Sequence, residues 1–226
     1  SIDVDTGAYA NVRRFLNEGR LPPQDAVRVE ELINYFDYEY ATPNSRDTPF
    51  QVSTELPAAP WNSQALLMRI GIKGFEIEAK ERPAANLVFL IDVSGSMNSP
   101  DKLPLLKNAF RLLSDQLTSR DRVSMVVYEG SSDVVLEPTP GHQKHRIQEA
   151  LARLSAGGST NGASGIERAY QLAHDTFVKG GINRVVLATD GDFNVGTVNF
   201  ESLVDIVERE RTTGVELRSL GFGTGN

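Results

Sequence analysis

Asp92, Ser94 and Ser96 stand at alternate positions directly after the apolar run Leu87-Val88-Phe89-Leu90-Ile91. An acid and two hydroxyls this close together can hold a cation. Equally, the two serines can cap the helix that follows, and on this segment alone both readings stand. Gly95 lets the chain turn tightly between the serines. A second acid, Asp190, follows a later strand-like stretch at residues 183–189, in Thr189-Asp190-Gly191-Asp192. A further hydroxyl, Thr160, lies in the Gly/Ser-rich loop 155–162, just before a helical stretch. Together these positions offer two carboxylates and three hydroxyls, all hard oxygen donors. Such a set selects Mg²⁺, Mn²⁺ or Ca²⁺ over zinc or copper. Two acids balance a divalent charge and hydroxyls add none, so the ion keeps affinity for one more anionic oxygen. The carboxylate of an Asp or Glu on a partner protein would supply it.

The chemistry depends on what positions these residues. The run at 87–91 is short and rich in β-formers, which fits a strand buried on both faces of a parallel sheet. Strand and helix then alternate. A helix at 102–117 carries Leu103, Leu106, Phe110, Leu113 and Leu117 on one face, followed by a strand at 122–128 and a short edge strand at 133–136. A helix at 145–154, the Gly-rich loop and a helix to about 178 come next. A strand at 183–189, a helix at 201–211 and a strand at 215–221 complete the series. The pattern predicts an α/β fold with a doubly wound, mostly parallel sheet flanked by helices, Rossmann-like in layout. Ligands bind such sheets outside the carboxyl ends of the strands. The loops carrying Asp92 and Asp190 therefore share one edge and can meet.

The main domain is expected over residues 82–226, preceded at 1–80 by a helical and small β extension. Asp5 or Thr6 can cap a first helix bearing Ala8, Val12, Phe15 and Leu16, with Gly19 as its stop. A second helix is expected over 24–36, with Val29, Leu32, Ile33 and Phe36 on one side. Strands are expected at 50–56 and 65–72, with 75–79 as a partner to the latter. Trp61, the single tryptophan, reads as an anchor on the core. Asp3 and Asp5 read as helix-start residues and not as a calcium loop, because Arg14 stands where the closing Glu would be.

Composition removes several classes. A chain of 226 residues with 40% hydrophobic and 23% charged residues can bury a proper core. Its formal net charge of −7, with no Lys/Arg cluster, argues against nucleic acid as a partner. The absence of cysteine excludes disulfides and thiolate chemistry without fixing the compartment. No apolar run reaches the roughly 20 residues that span a membrane, and no signal peptide is evident.

The ordered set D-x-S-x-S after a buried strand, Thr in a Gly/Ser loop, then T-D-G after a later strand resembles the metal-ion-dependent adhesion site of von Willebrand factor type A domains. Here those positions are Asp92, Ser94, Ser96, Thr160 and Asp190. The resemblance covers roughly residue 82 to the end. It implies a non-enzymatic domain that binds protein through Mg²⁺, with Mn²⁺ or Ca²⁺ as alternatives. Ser94, Ser96 and Thr160 would touch the metal, and Asp92 and Asp190 would act directly or through water. The stretches SIDVDTGAYANVRRFL and VRVEELINYF resemble the N-terminal segment of a bacterial subgroup that is often associated with the cell envelope, which leaves a periplasmic, extracellular or cytoplasmic location open. The family pattern continues after the strand near Gly221 with a further helix and strand, which residues 82–226 are expected to lack.

An enzyme of haloacid-dehalogenase type is the competing reading, since those phosphotransferases also place an Asp after the first strand and an Asp pair later, as in Asp190 and Asp192. Their general acid sits two residues after the nucleophile; here that place is Ser94, which has no useful proton-transfer pKa. A scaffold with a purely structural metal is a third reading. No GxGxxG follows the first strand, and no P-loop lysine follows Gly157-Gly158. His142 and His145 read as solvent-facing, His174 as a helix residue among core types, and Asp192, Asn194, Asn161 and Gly162 as rim or loop-shaping residues.

Overall fold

The structure, a computed structural model, describes residues 4–78, 80–129, 131–157, 163–191 and 200–223. The chain divides into two units, Ser1–Glu81 and Arg82–Asn226.

The first unit contains α1 (Gly7–Asn17), α2 (Val29–Asn34), β1 (Phe50–Glu55), β2 (Ala58–Ala59), β3 (Asn62–Leu66) and β4 (Arg69–Gly74). Thr6 sits at the N-cap of α1 without a side-chain bond. The orphan amide of Ala8 instead donates to Glu31 Oε2 at 2.8 Å, which satisfies part of the helix start from α2. That bond holds the Glu31 carboxyl below its ordinary value. The turn through Glu18 and Gly19 ends α1, with the Arg20 amide returning to Phe15 O. Stacking of Tyr9 on Tyr35 at 4.1 Å and an edge contact to Phe36 at 5.1 Å join the two helices.

Three expectations for this unit fail. The helix expected over 24–36 is a single 3₁₀ turn, Gln24–Ala26, followed by extended backbone at Arg28 and only six helical residues. Its Val29, Ile33 and Phe36 are half or more exposed. The strand expected over 65–72 is divided between two ribbons: β2 pairs with β3 and β4 with β1, both antiparallel, and residues 75–78 join neither. Trp61 is 74% exposed because it occupies the tight turn between β2 and β3, so it anchors nothing.

The second unit contains β5 (Ala85–Asp92), α3 (Leu103–Gln116), β6 (Arg122–Glu129), β7 (Ser131–Pro140), α4 (Lys144–Arg153), α5 (Ala163–Asp175), β8 (Ile182–Thr189), α6 (Phe200–Thr212) and β9 (Glu216–Gly221). Its sheet has the order β7-β6-β5-β8-β9, parallel except for β7, which is antiparallel and forms one edge. This is the doubly wound, mostly parallel α/β arrangement that strand–helix alternation demands. Residues on β5 alternate between two cores. Phe89 and Ile91 pack with Leu106 and Phe110 of α3 and with Ile147 and Leu151 of α4. Val88 and Leu90 pack with Tyr128 and with Ile166, Ala169 and Tyr170 of α5. Each fully buried Leu or Ile here is worth about 2–5 kcal/mol against Ala.

β7 is ten residues long, not the four expected, because backbone pairing to β6 continues through two register shifts into the flanking residues Ser131, Ser132 and Glu137 to Pro140, which are polar or proline. Such residues are tolerated on an edge strand. Gly165 permits α5 to lie against the sheet: a Cβ there would fall 3.0 Å from Tyr128 Cβ and 3.1 Å from Leu90 Cδ1. At the opposite end of β5, the fully buried Asp121 accepts bonds from the Ala85 amide at 2.9 Å, Thr118 N at 2.7 Å and Arg82 Nη2 at 2.7 Å.

Candidate metal centre

β5 and β8 run parallel with Ile91 opposite Ala188, so the residues that follow them emerge together at the carboxyl edge of the sheet. Asp92 is fully buried there. Its Oδ1 accepts the Ser94 amide at 2.9 Å, and its Oδ2 faces Thr189 Oγ1 at 3.4 Å. Both carboxylate oxygens are thus engaged from within the protein, and the first bond closes the chain into a tight turn. A short 3₁₀ turn, Gly95–Asn98, follows, pinned by the fully buried Met97. Ser94 sits at its N-cap but makes no side-chain capping bond. The Ser94 and Ser96 hydroxyls instead face each other, with Oγ atoms 3.1 Å apart. Ser94 is buried and Ser96 exposed, so the pair opens toward solvent.

Asp190, 8% exposed, enters from β8. Its Oδ2 accepts Lys102 Nζ at 2.8 Å, and the same ammonium donates to Ser96 O at 3.0 Å. The Gly191 amide donates to Thr189 Oγ1 at 3.2 Å and shapes the turn after the acid. Gly157 N donates to Val93 O at 2.9 Å, which ties the start of the Gly-rich loop to the turn after β5. Thr160 lies outside the described residues, as do Asn161, Gly162, Asp192 and Asn194.

Among the described residues the structure therefore brings Asp92, Ser94, Ser96 and Asp190 to one edge. The donor set can be tested against the ion it suggests. Adjacent oxygens around Mg²⁺ at about 2.1 Å in an octahedron lie roughly 3 Å apart. The two serine hydroxyls have that spacing without rearrangement. Asp92 is better placed to orient the Ser94 turn than to offer a free oxygen. A carboxylate held in this way supports its neighbours as an outer partner does.

Three further residues belong to this edge; sequence did not single out Lys102 or Tyr128, and it placed Thr189 in the T-D-G motif without a role. Lys102 reads as a helix-start residue, although a cation at a helix N-terminus works against the helix dipole; that conflict was the available signal. Thr189 reads as the last residue of a strand. Tyr128 reads as strand core, yet its phenol lies beside Asp92 and Thr189. Burial and the Asp92 charge push its pKa far above the ordinary value, so the phenol stays neutral. Elsewhere, His174 Nε2 meets Glu210 Oε2 at 2.6 Å. Burial raises the Glu210 pKa, but His174 and Arg209 outweigh it and hold the carboxyl below its usual range. His145 is exposed beside Glu149.

Residues 1–69 match the family model described as von Willebrand factor, and residues 87–193 the model described as von Willebrand factor type A domain. The Escherichia coli (strain K12) protein YfbK, described as uncharacterized, is 48% identical over 232 residues, which cover 100% of this chain and 40% of that protein. The chain thus spans less than half the length of this relative. Among solved structures, a von Willebrand factor type A protein from Catenulispora acidiphila aligns with a TM-score of 0.53 at 18% identity, over 82% of this chain and 42% of that one. The manganese-loaded Plasmodium vivax TRAP protein aligns with a TM-score of 0.51 at 20% identity, over 63% and 59%.

Proposed function

We propose, for a chain that belongs to the von Willebrand factor type A domain family, that the β5–β8 edge holds a divalent cation through which the domain binds a carboxylate of a partner protein. Ser94 and Ser96 would hold the ion directly, with Thr160 as a third hydroxyl. Asp92 would act through its hold on the Ser94 turn, and Asp190 directly or through water. The observation that carries this reading is the 3.1 Å hydroxyl pair opening to solvent with two acids behind it. Mg²⁺ is the expected ion, with Mn²⁺ or Ca²⁺ able to replace it. It would supply the positive charge that attracts the partner's Asp or Glu, and hydroxyl ligands leave that charge less neutralised than carboxylates would.

In this reading residues 82–226 form the binding domain, residues 1–80 are an extension of it, and the domain catalyses no reaction of its own. A phosphotransferase role is not favoured, because a buried Asp92 with both oxygens engaged is poorly placed as a nucleophile. A location at the bacterial cell envelope, in an adhesion-type role, is part of the proposal. No helix among the described residues is long and apolar enough to cross a membrane.

The test is calorimetric titration of Mg²⁺ and Mn²⁺ into the wild type and Ser96→Ala, with melts in each ion. An ion at a hundred times its Kd stabilises the folded state by about 2.7 kcal/mol, and Ser96→Ala should lose most of that. A partner captured in Mg²⁺ should dissociate in chelator. No heat of binding and an unchanged wild-type melt would remove the reading.

A further inference from the structure

The strongest unassigned feature is the Lys102 ammonium. It bridges the two segments that carry the candidate ligands, donating to Asp190 Oδ2 at 2.8 Å and to Ser96 O at 3.0 Å. Its side chain is 21% exposed and the Asp190 side chain 2%, so this is a largely desolvated pair and not a surface contact. The backbone places it deliberately. Lys102 occupies the N-cap of α3, with its amide bonded to Ser99 O and its carbonyl accepting the Leu106 amide. A cation is disfavoured at that end of a helix, so a specific partner must offset the cost. From the far side Gly223 lies over the lysine stem at φ 85°. A Cβ there would fall 2.7 Å from Lys102 Cε, so the glycine backbone packs closely on the lysine stem.

Building on the divalent-cation reading above, we infer that Lys102 is an internal competitor for that cation: the ammonium and the ion are alternatives at Asp190. The physical basis is charge. Two positive centres cannot share one carboxylate in a poorly solvated pocket without strong repulsion. An ion that takes Asp190 Oδ2 releases Lys102 into solvent, and one that reaches the carboxylate through water is opposed by the ammonium charge. The released ammonium is long and flexible enough to do so while its backbone stays in α3. Lys102 therefore sets the ion concentration at which the site fills. It also keeps Asp190 neutralised and the two loops stapled below that concentration. A lysine serving only as a structural staple would act in the opposite sense, since its removal would loosen both loops and weaken the ion.

The experiment uses the full chain, with Mn²⁺ as the probe. Lys102→Met keeps the stem and removes the charge; Lys102→Arg keeps the charge. Calorimetry should show Mn²⁺ binding about tenfold tighter or better in Lys102→Met and near wild type in Lys102→Arg. Melts supply a second readout. In chelator Lys102→Met should melt below the wild type, because Asp190 has lost its counter-ion, and saturating Mn²⁺ should close or reverse the gap. Should Lys102→Met not fold, Lys102→Gln carries the same expectations. Binding seen in the uncharged variant alone supports the inference. Binding by the wild type with no gain, or a loss, in Lys102→Met overturns it and leaves the cation reading standing. No Mn²⁺ binding by either protein removes both.

Discussion

Asp121 is a fully buried acid that the fold can hold only because four donors meet it. Arg82, the Ala85 amide and both the amide and hydroxyl of Thr118 all point at its two oxygens. Burial alone would raise its pKa, but these bonds prevail and the carboxyl titrates below its ordinary value. The folded value therefore lies beneath the unfolded one. The stability it adds is complete above about pH 4 and is lost as pH falls through the folded value. Asp121→Asn should destabilise the protein by about 3 kcal/mol at neutral pH, the cost of breaking one side of a buried pair. Urea denaturation from pH 7 to pH 3 should show the gap to wild type closing in acid. A gap that is constant with pH would mean that the charge contributes nothing. At this scale the sequence was readable where chemistry sits in a local pattern: Asp92, Ser94 and Ser96 lie within five residues of one another. Lys102 was not readable, because its partner Asp190 is 88 residues away and only the sheet brings them together.

Packing between elements decides how far the Asp92 edge can be disturbed. α5 approaches the sheet through Gly165, against Tyr128 and Leu90, and Tyr128 lies beside Asp92. Gly165→Ala gains about 1 kcal/mol in helix propensity. The added methyl, however, meets Tyr128 Cβ, which is fixed to the backbone and cannot swing away. Overpacking of this kind costs about 1–3 kcal/mol, so the variant should be less stable by about 1 kcal/mol, read from its urea midpoint. Equal or greater stability would show that α5 can shift freely. The long strongly patterned elements were legible: β5, α3, β6 and β8 follow from their apolar period. The weak ones were not. The 24–36 stretch had the right apolar spacing, but extended backbone at Arg28 splits it, and Val29, Ile33 and Phe36 stay half exposed or more. β7 was underestimated because an edge strand with Pro138 and Pro140 shows no alternation to read.

On the scale of the whole molecule, every described residue of the candidate site lies in Arg82–Asn226. A protein beginning at Arg82 should therefore fold by itself and bind Mn²⁺ as the full chain does. One beginning at residue 84 should melt lower, since it lacks the Arg82 partner of the buried Asp121. Circular dichroism melts with Mn²⁺ calorimetry distinguish the cases. Failure of the longer fragment to fold would show that the first unit is needed for the second.

The hydrogen bond from Thr189 to Asp92 joins residues 97 apart in the chain. Contacts of such separation are made late, since the loop between them must close before they reward it. A chain emerging from the ribosome presents the Asp92 turn long before β8 exists to complete it. An ion bound at this edge, as proposed, is therefore expected to stabilise a fold already made rather than to recruit it. Its influence falls on the rate of unfolding and leaves the rate of folding as it was. On the proposed reading, in an environment where divalent ions come and go, the domain's lifetime should vary with them while its speed of assembly should not.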